Sequence, residues 1–254
     1  AAAAVVKPSL ISLPDDIKNV IINIGTNYNP VYPPEDDPTT AVIAVEPILE
    51  TAFKIKKHPR LFIIMAAIAN GDARFQTMHI HNVGGASSSL ANPTNPNAFW
   101  VGTKKDGWPD FQIVPVISMK TLLDSIPPSV KIVHLKTDMQ GFDFAAVSSA
   151  GRSIRRIPEI YCEVYVNTAS YEGVENDLNK HWDPYMKEMG YERVSTNVKK
   201  RGEDNALYKR IGVEETCEGL VPERDGLREG ARIHLLWKRG GDNALNKRIG
   251  EEVT

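Results

Sequence analysis

The chain has 254 residues, 42% of them apolar and 24% charged, with a net charge of −2. That length suits one large α/β domain or two small ones. The near-neutral balance, with Lys and Arg spread along the chain, argues against a nucleic-acid binder working through a broad basic surface. The longest apolar run, Leu61 to Ala69, is too short to span a bilayer.

Ala1 to Val6 is small and apolar but lacks the length and charged start of a signal peptide. Of the two cysteines, Cys162 and Cys217, the first lies inside an apolar strand pattern. That argues against a disulfide framework and points to a reducing compartment, the cytoplasm or an organelle interior.

Val20 to Ile24 is the first predicted strand, followed by Gly25-Thr26-Asn27. Prolines at 30, 33, 34 and 38 then forbid a regular helix, because each lacks an N–H donor and restrains its predecessor. A phosphate-cradling helix N-terminus is therefore not expected here, and neither GxGxxG nor GxxxxGK[ST] occurs. Ala41 to Val45 is the second strand and ends in Glu46-Pro47. An acid at that place can accept hydrogen bonds from two ribose hydroxyls, and its side chain is expected at a solvent-facing strand end.

Ile48 to Lys57 reads as a helix, Leu61 to Ile68 as the third strand, and Ala69-Asn70-Gly71-Asp72 as a turn. Arg74 to His81 alternates like an edge strand, with His79 and His81 on one face. The pair has metal-ligand spacing but no third ligand nearby, and is taken as ordinary surface histidines. Val83 to Pro109 is a long loop rich in Gly, Ser, Asn and Pro, a length often seen in functional lids. Val114 to Ser118 is a further strand and Lys120 to Ser125 a short helix.

The stretch KIVHLKTDMQGFDFAAV, residues 131–147, carries the densest chemistry. A buried apolar strand delivers Lys136, Asp138 and Gln140 in quick succession, passes Gly141 and enters a helix predicted from Phe142 to Ala150. Polar residues at the C-terminal end of such a strand lie where open α/β sheets hold ligands. Glu159 to Val166 is another strand with Glu163 embedded in it, and Tyr171 to Met189 reads as a helix closed by Gly190. The alternation of strands and helices predicts a mostly parallel sheet with helices on both faces.

The segment KRGEDNALYKRIG at 200–212 recurs as KRGGDNALNKRIG at 238–250. Ala206 to Lys209 and Ile233 to Lys238 are expected to pair as antiparallel strands finishing the sheet. The organisation predicted is a lead-in at 1–17, one domain at 18–238 and an extension at 239–254 that contacts a partner chain.

Four landmarks in this order resemble the FkbM-type family of S-adenosylmethionine-dependent methyltransferases, over about residues 18 to 195. They are Val45-Glu46-Pro47, Ala67-Ile68-Ala69-Asn70, Lys136-Thr137-Asp138-Met139-Gln140-Gly141-Phe142-Asp143 and Pro158-Glu159-Ile160-Tyr161-Cys162-Glu163. Where the family has Asp-x-Gly-Ala-Asn-x-Gly, this chain has Asn23-Ile24-Gly25-Thr26-Asn27-Tyr28-Asn29, and Gln140 stands where the family has Glu.

The resemblance implies a class I, Rossmann-like methyltransferase fold with an antiparallel strand near its C-terminal end. It implies S-adenosylmethionine as cofactor, with Asn23, Gly25, Asn27 and Glu46 at its methionine and ribose and Ala67, Ile68 and Asn70 at its adenine. Lys136, Asp138 and Glu163 would face the acceptor, Asp138 orienting or deprotonating it. The implied acceptor is a hydroxyl of a sugar or secondary metabolite, and no full set of metal ligands is visible. The altered first motif, the proline loop and the tail support an alternative: an inactive methyltransferase-like domain serving as a subunit of a larger assembly.

Overall fold

The computed structural model describes residues 10–72, 75–81, 85–98, 101, 109–166, 170–197 and 203–212. In chain order the first elements are β1 (Asn19–Ile24), β2 (Thr40–Val45), α1 (Leu49–Lys54), β3 (Leu61–Ile64), β4 (Ala67–Ile68) and β5 (Phe75–His79). Then come β6 (Phe111–Ile117), α2 (Met119–Ser125), β7 (Lys131–Thr137), α3 (Asp143–Ser148), β8 (Glu159–Tyr165), α4 (Asp183–Glu188), β9 (Tyr191–Asn197) and β10 (Glu203–Arg210). No helix among the described residues is long and apolar enough to cross a membrane.

The main sheet has seven strands in the order β3-β2-β1-β7-β8-β10-β9, parallel except for β10, which runs antiparallel to both of its neighbours. It is the mostly parallel α/β sheet expected, with its antiparallel strand near the C-terminal side. All six residues of β2 are buried, which is why its sequence, TAVIAV, is a continuous apolar run rather than an alternating one. Each fully buried Ile or Val contributes roughly 1.5–3 kcal/mol. One face packs Ile22, Ile43, Leu135 and Ile160 against Leu122 and Leu123 of α2, Ala146 and Val147 of α3 and Met186 of α4.

The predicted third strand divides. Leu61–Ile64 pairs with β2, whereas Ala67–Ile68 crosses to a second, three-stranded sheet of order β4-β6-β5. The division falls where β2 ends: Ile64 pairs with Val45, and the Ile64 carbonyl then accepts the Glu46 N–H, leaving no strand beyond for the chain to follow. The strands read at 74–81 and 114–118 form this second sheet, over a small core of Met78, Ile80, Val114 and Val116.

One expectation near the C-terminus is corrected. The helix read at 171–189 covers only 178–188, opening with a π-turn at Leu178–Trp182 and continuing as α4. The preceding residues are drawn away from helical geometry by Gly173 at φ +67° and by Asn176, whose carbonyl accepts the Tyr165 N–H at 2.8 Å. Strand Ala206–Lys209 exists as part of β10, but both its edges are taken, by β8 and by the unforeseen β9. Its expected partner, Ile233 to Lys238, lies outside the described residues. The chain separates into units Ala1–Gly212 and Val213–Thr254. The second unit lies outside the described residues, and with it the second repeat copy and the extension at 239–254.

Asn176 is the polar hub under the β8 end of the sheet. Only 1% exposed, it accepts from the Phe144 N–H at 3.1 Å and the Trp182 indole at 2.9 Å and donates to the Glu163 carbonyl at 3.2 Å. Asn176→Ala strands these partners in the interior, at about 1–3 kcal/mol for each group left unsatisfied. Urea denaturation should show a loss of about 2–5 kcal/mol with an unchanged slope.

Candidate active site

Ile24 pairs with Val45 on one side and Thr137 on the other, so β1, β2 and β7 end level. Gly25, Glu46 and Asp138 therefore leave the same sheet edge, at the point where the strand order reverses direction. Gly25 has φ +70°, and a Cβ there would lie 1.8 Å from the Asp138 carbonyl oxygen. Only glycine lets the two strand tips approach this closely.

Glu46 is buried, 4% exposed, which corrects the expectation of a solvent-facing side chain. Its Oε2 accepts the Asn27 N–H at 2.8 Å and its Oε1 the Ile48 N–H at 2.9 Å. The carboxylate thus ties together the loops that follow β1 and β2, and this need for a buried acceptor draws it inward. Burial pushes its pKa up from the ordinary 4.5 to about 7, against the opposing pull of the two backbone N–H groups. Asn27, at φ +51°, is one of two non-glycine residues in the left-handed region among the described residues.

The other is Gln140, at φ +53°. Its Nε2 donates to Asp138 Oδ1 at 3.0 Å, while Lys136 Nζ lies 3.5 Å from Asp138 Oδ2. Lys136 pairs in register with Tyr161 on β8, and one residue beyond the Thr137–Cys162 pair stand Asp138 and Glu163. Burial first, then the Asp138 charge, pushes the Tyr161 pKa up to about 12. Asp143, fully buried at the start of α3, accepts the Met139 N–H on both oxygens at 3.2 Å and so closes the turn after β7. Burial, and then the Asp138 charge, raises the pKa of Asp143.

These strand ends border a cavity that is open to solvent. Gly25, Asn27 and Glu46 line one side and Asp138, Met139 and Gln140 another. Ala67, Ile68, Met78, Leu90 and Phe142 supply an apolar wall, completed by Gly85, Ala86 and Ser88 from the part of the expected lid that is described. Of the residues singled out from sequence, Gly25, Asn27, Glu46, Ala67, Ile68 and Asp138 meet here.

Four do not line the cavity. Asn23 is buried within β1, where its Oδ1 accepts the Val31 N–H at 2.8 Å and holds the proline loop. Asn70 is exposed in its turn. Lys136 and Glu163 are largely buried on their strands, next to Asp138 rather than on the wall. His79 and His81 stack with ring centroids 6.4 Å apart, and no cluster of three or more potential metal ligands occurs among the described residues.

Sequence reading missed Tyr171, Ser87 and Ser89. The Tyr171 hydroxyl lies 2.7 Å from the Ser87 carbonyl oxygen and 3.0 Å from Gln140 Oε1, and Ser89 Oγ donates to the Gln140 carbonyl at 2.9 Å. No local pattern announces such partners, because each is more than thirty residues from Gln140 in sequence. Asp143 had a usable signal, an acid in the first turn of a predicted helix.

A family model for the methyltransferase FkbM domain matches residues 19–193. No curated protein matches at a significant level. Among solved structures, the crystal structure of the antibiotic-resistance methyltransferase Kmr is similar at 12% identity and a TM-score of 0.32, covering 78% of this chain and 89% of that one. That likeness is too slight to bear on function. The family match spans more than half of the chain, including all three strand ends that border the cavity, and by it the chain belongs to the FkbM methyltransferase family.

Proposed function

We propose that the cavity binds S-adenosylmethionine and that the chain transfers its methyl group to a hydroxyl of a small molecule, a sugar or secondary metabolite. The observation that carries this reading is Glu46. Its carboxylate has about four lone-pair sites. The Asn27 and Ile48 N–H groups take two of them, which leaves two for a pair of ribose hydroxyls. The buried Ala67 and Ile68, with Met78 and Leu90, suit the flat apolar face of a purine.

The bound sulfonium supplies a methyl group already activated for in-line displacement. What remains for the protein is to align the acceptor oxygen and remove its proton. Asp138 borders the cavity with its side chain 36% exposed, so a hydroxyl can reach it. It takes the hydroxyl proton as the oxygen attacks, with the Lys136 ammonium 3.5 Å from its other flank. Tyr161 and Glu163 complete the polar flank on β8. Asp138→Asn should lower the rate of methyl transfer by about 10²- to 10⁴-fold while donor affinity stays within about twofold. Initial rates and calorimetry on the same variant check both halves.

Glu46→Gln, measured near pH 8 where the wild-type group is ionised, should weaken S-adenosylmethionine binding by roughly 1.5–3 kcal/mol, about tenfold to a hundredfold. Unchanged affinity in a folded variant rejects the ribose role, and no binding by wild type at millimolar ligand favours the scaffold reading. Hydroxyls donating to the carboxylate stabilise its charged form, so binding near pH 6 should release protons. Calorimetry in buffers of different ionisation enthalpy measures that release.

The same group makes the ligand-free fold pH-dependent. With a folded value of about 7 against 4.5, the folded chain retains a proton that the unfolded chain has lost between those values. Stability from this group therefore falls as pH rises through that window, by on the order of 3 kcal/mol in all. The difference in urea stability between wild type and Glu46→Gln should shift by that amount between about pH 4.5 and 7.5 and level off above it.

A further inference from the structure

We propose that Gln140 is the positioning residue for Asp138, holding one carboxylate oxygen so that the other is presented to the acceptor hydroxyl. The inference rests on the function proposed above for Asp138 and goes beyond it to the residues that aim it.

An ionised carboxylate only accepts hydrogen bonds, so the group of Gln140 turned to Asp138 Oδ1 at 3.0 Å is its NH₂. That leaves Gln140 Oε1 toward Tyr171, 3.0 Å away. The single Tyr171 proton then serves two acceptors, Gln140 Oε1 and the Ser87 carbonyl at 2.7 Å. Ser89 fixes the Gln140 backbone through its carbonyl.

The backbone at Gln140 sits in the left-handed region, and Gly141 follows at φ +96° with no space for a Cβ, which would lie 2.9 Å from the Tyr165 hydroxyl. Such a turn is strained at a non-glycine residue and persists where the surroundings over-determine it. Here they do so through the loop at 85–98, which is joined to 170–172 by the Thr94 N–H to Ser170 and Glu172 N–H to Asn92 hydrogen bonds. The loop that walls the cavity is thus the element that orients the catalytic carboxylate.

A carboxylate at position 140 could not do this. It would face Asp138 at hydrogen-bond distance with no proton to donate while both are ionised, and their repulsion favours protonation of one of them. The charged and titratable groups around Asp138 are Lys136 on β7, Tyr161 and Glu163 on β8, Asp143 on α3 and, across the cavity, Glu46. Among the described ones, Lys136 is the cation next to it.

The test is an NMR titration of the ligand-free protein, with carboxyl carbons of aspartate labelled and Asp138→Asn giving the assignment. In wild type, the Gln140 NH₂ resonances should move with the same midpoint as the Asp138 carboxyl, because their hydrogen bond weakens as that charge is lost. In Gln140→Glu the Asp138 midpoint should rise by about one pH unit or more. With methyl hexopyranosides as acceptors, the acid limb of kcat should rise equally while KM for the donor holds. Gln140 resonances indifferent to the Asp138 titration in wild type would overturn the proposal, as would an unmoved Asp138 midpoint in a folded Gln140→Glu. Failure of wild type to transfer methyl groups would count against the proposed function alone, since the titration is read without ligand.

Discussion

Strand β1 leaves the sheet at Gly25 in a left-handed conformation, and a methyl group on that residue would lie 1.8 Å from the Asp138 carbonyl oxygen. The contact is backbone against backbone, so no side-chain adjustment can relieve it. It sets how closely the tips of β1 and β7 approach, and hence the distance across the cavity between Glu46 and Asp138. The backbone ladders reinforce the same geometry: the Gly25 N–H reaches Val45 at 3.0 Å and the Asp138 N–H reaches Ile24 at 3.1 Å. Three strand ends are thereby held as one rigid lip, and the loops above them inherit its spacing.

The buried polar groups around that lip serve the backbone before they serve any ligand. Glu46 accepts from two loop N–H groups, Asp143 from the turn after β7, Asn23 from the proline loop, and Asn176 from the start of α3. Burying these groups is costly unless they are hydrogen-bonded, and irregular loops over a sheet edge have orphan N–H groups to offer. The two needs cancel. A consequence for function is that Glu46 sits in a desolvated position with a proton affinity near neutrality, so its charge, loop geometry and capacity to accept a diol are coupled. The proline segment, which lacks a helix, is anchored separately by Arg60, whose guanidinium donates to the carbonyls of Pro34, Asp37 and Thr40.

Much of the site was legible because strand ends are local signals. The runs Val20 to Ile24, Ala41 to Val45 and Lys131 to Leu135 are apolar and β-branched, and a strand buried on both faces leaves polar residues only at its ends. Glu46 and Asp138 follow directly, whereas Gly25 entered as a candidate through the family resemblance. The division of Leu61 to Ile68 between two sheets was not legible, since both halves are apolar and only the partner strand decides which sheet each joins. Strand β9 was missed for a similar reason: Tyr191–Asn197 is mostly exposed and polar, and is held by pairing with β10.

The sequence by itself determined the α/β class, the mostly parallel sheet, the absence of a helix after β1 and the candidate residues at the strand ends. These follow from hydrophobic period, proline chemistry and strand length, all of which act over a few residues. Tertiary structure alone decided that Glu46 is buried, that Asn23 holds a loop instead of lining the cavity, and that Gln140 meets Tyr171, Ser87 and Ser89. Those outcomes depend on which donors and acceptors distant segments bring within 3 Å of each other, and no local pattern in the chain encodes that distance.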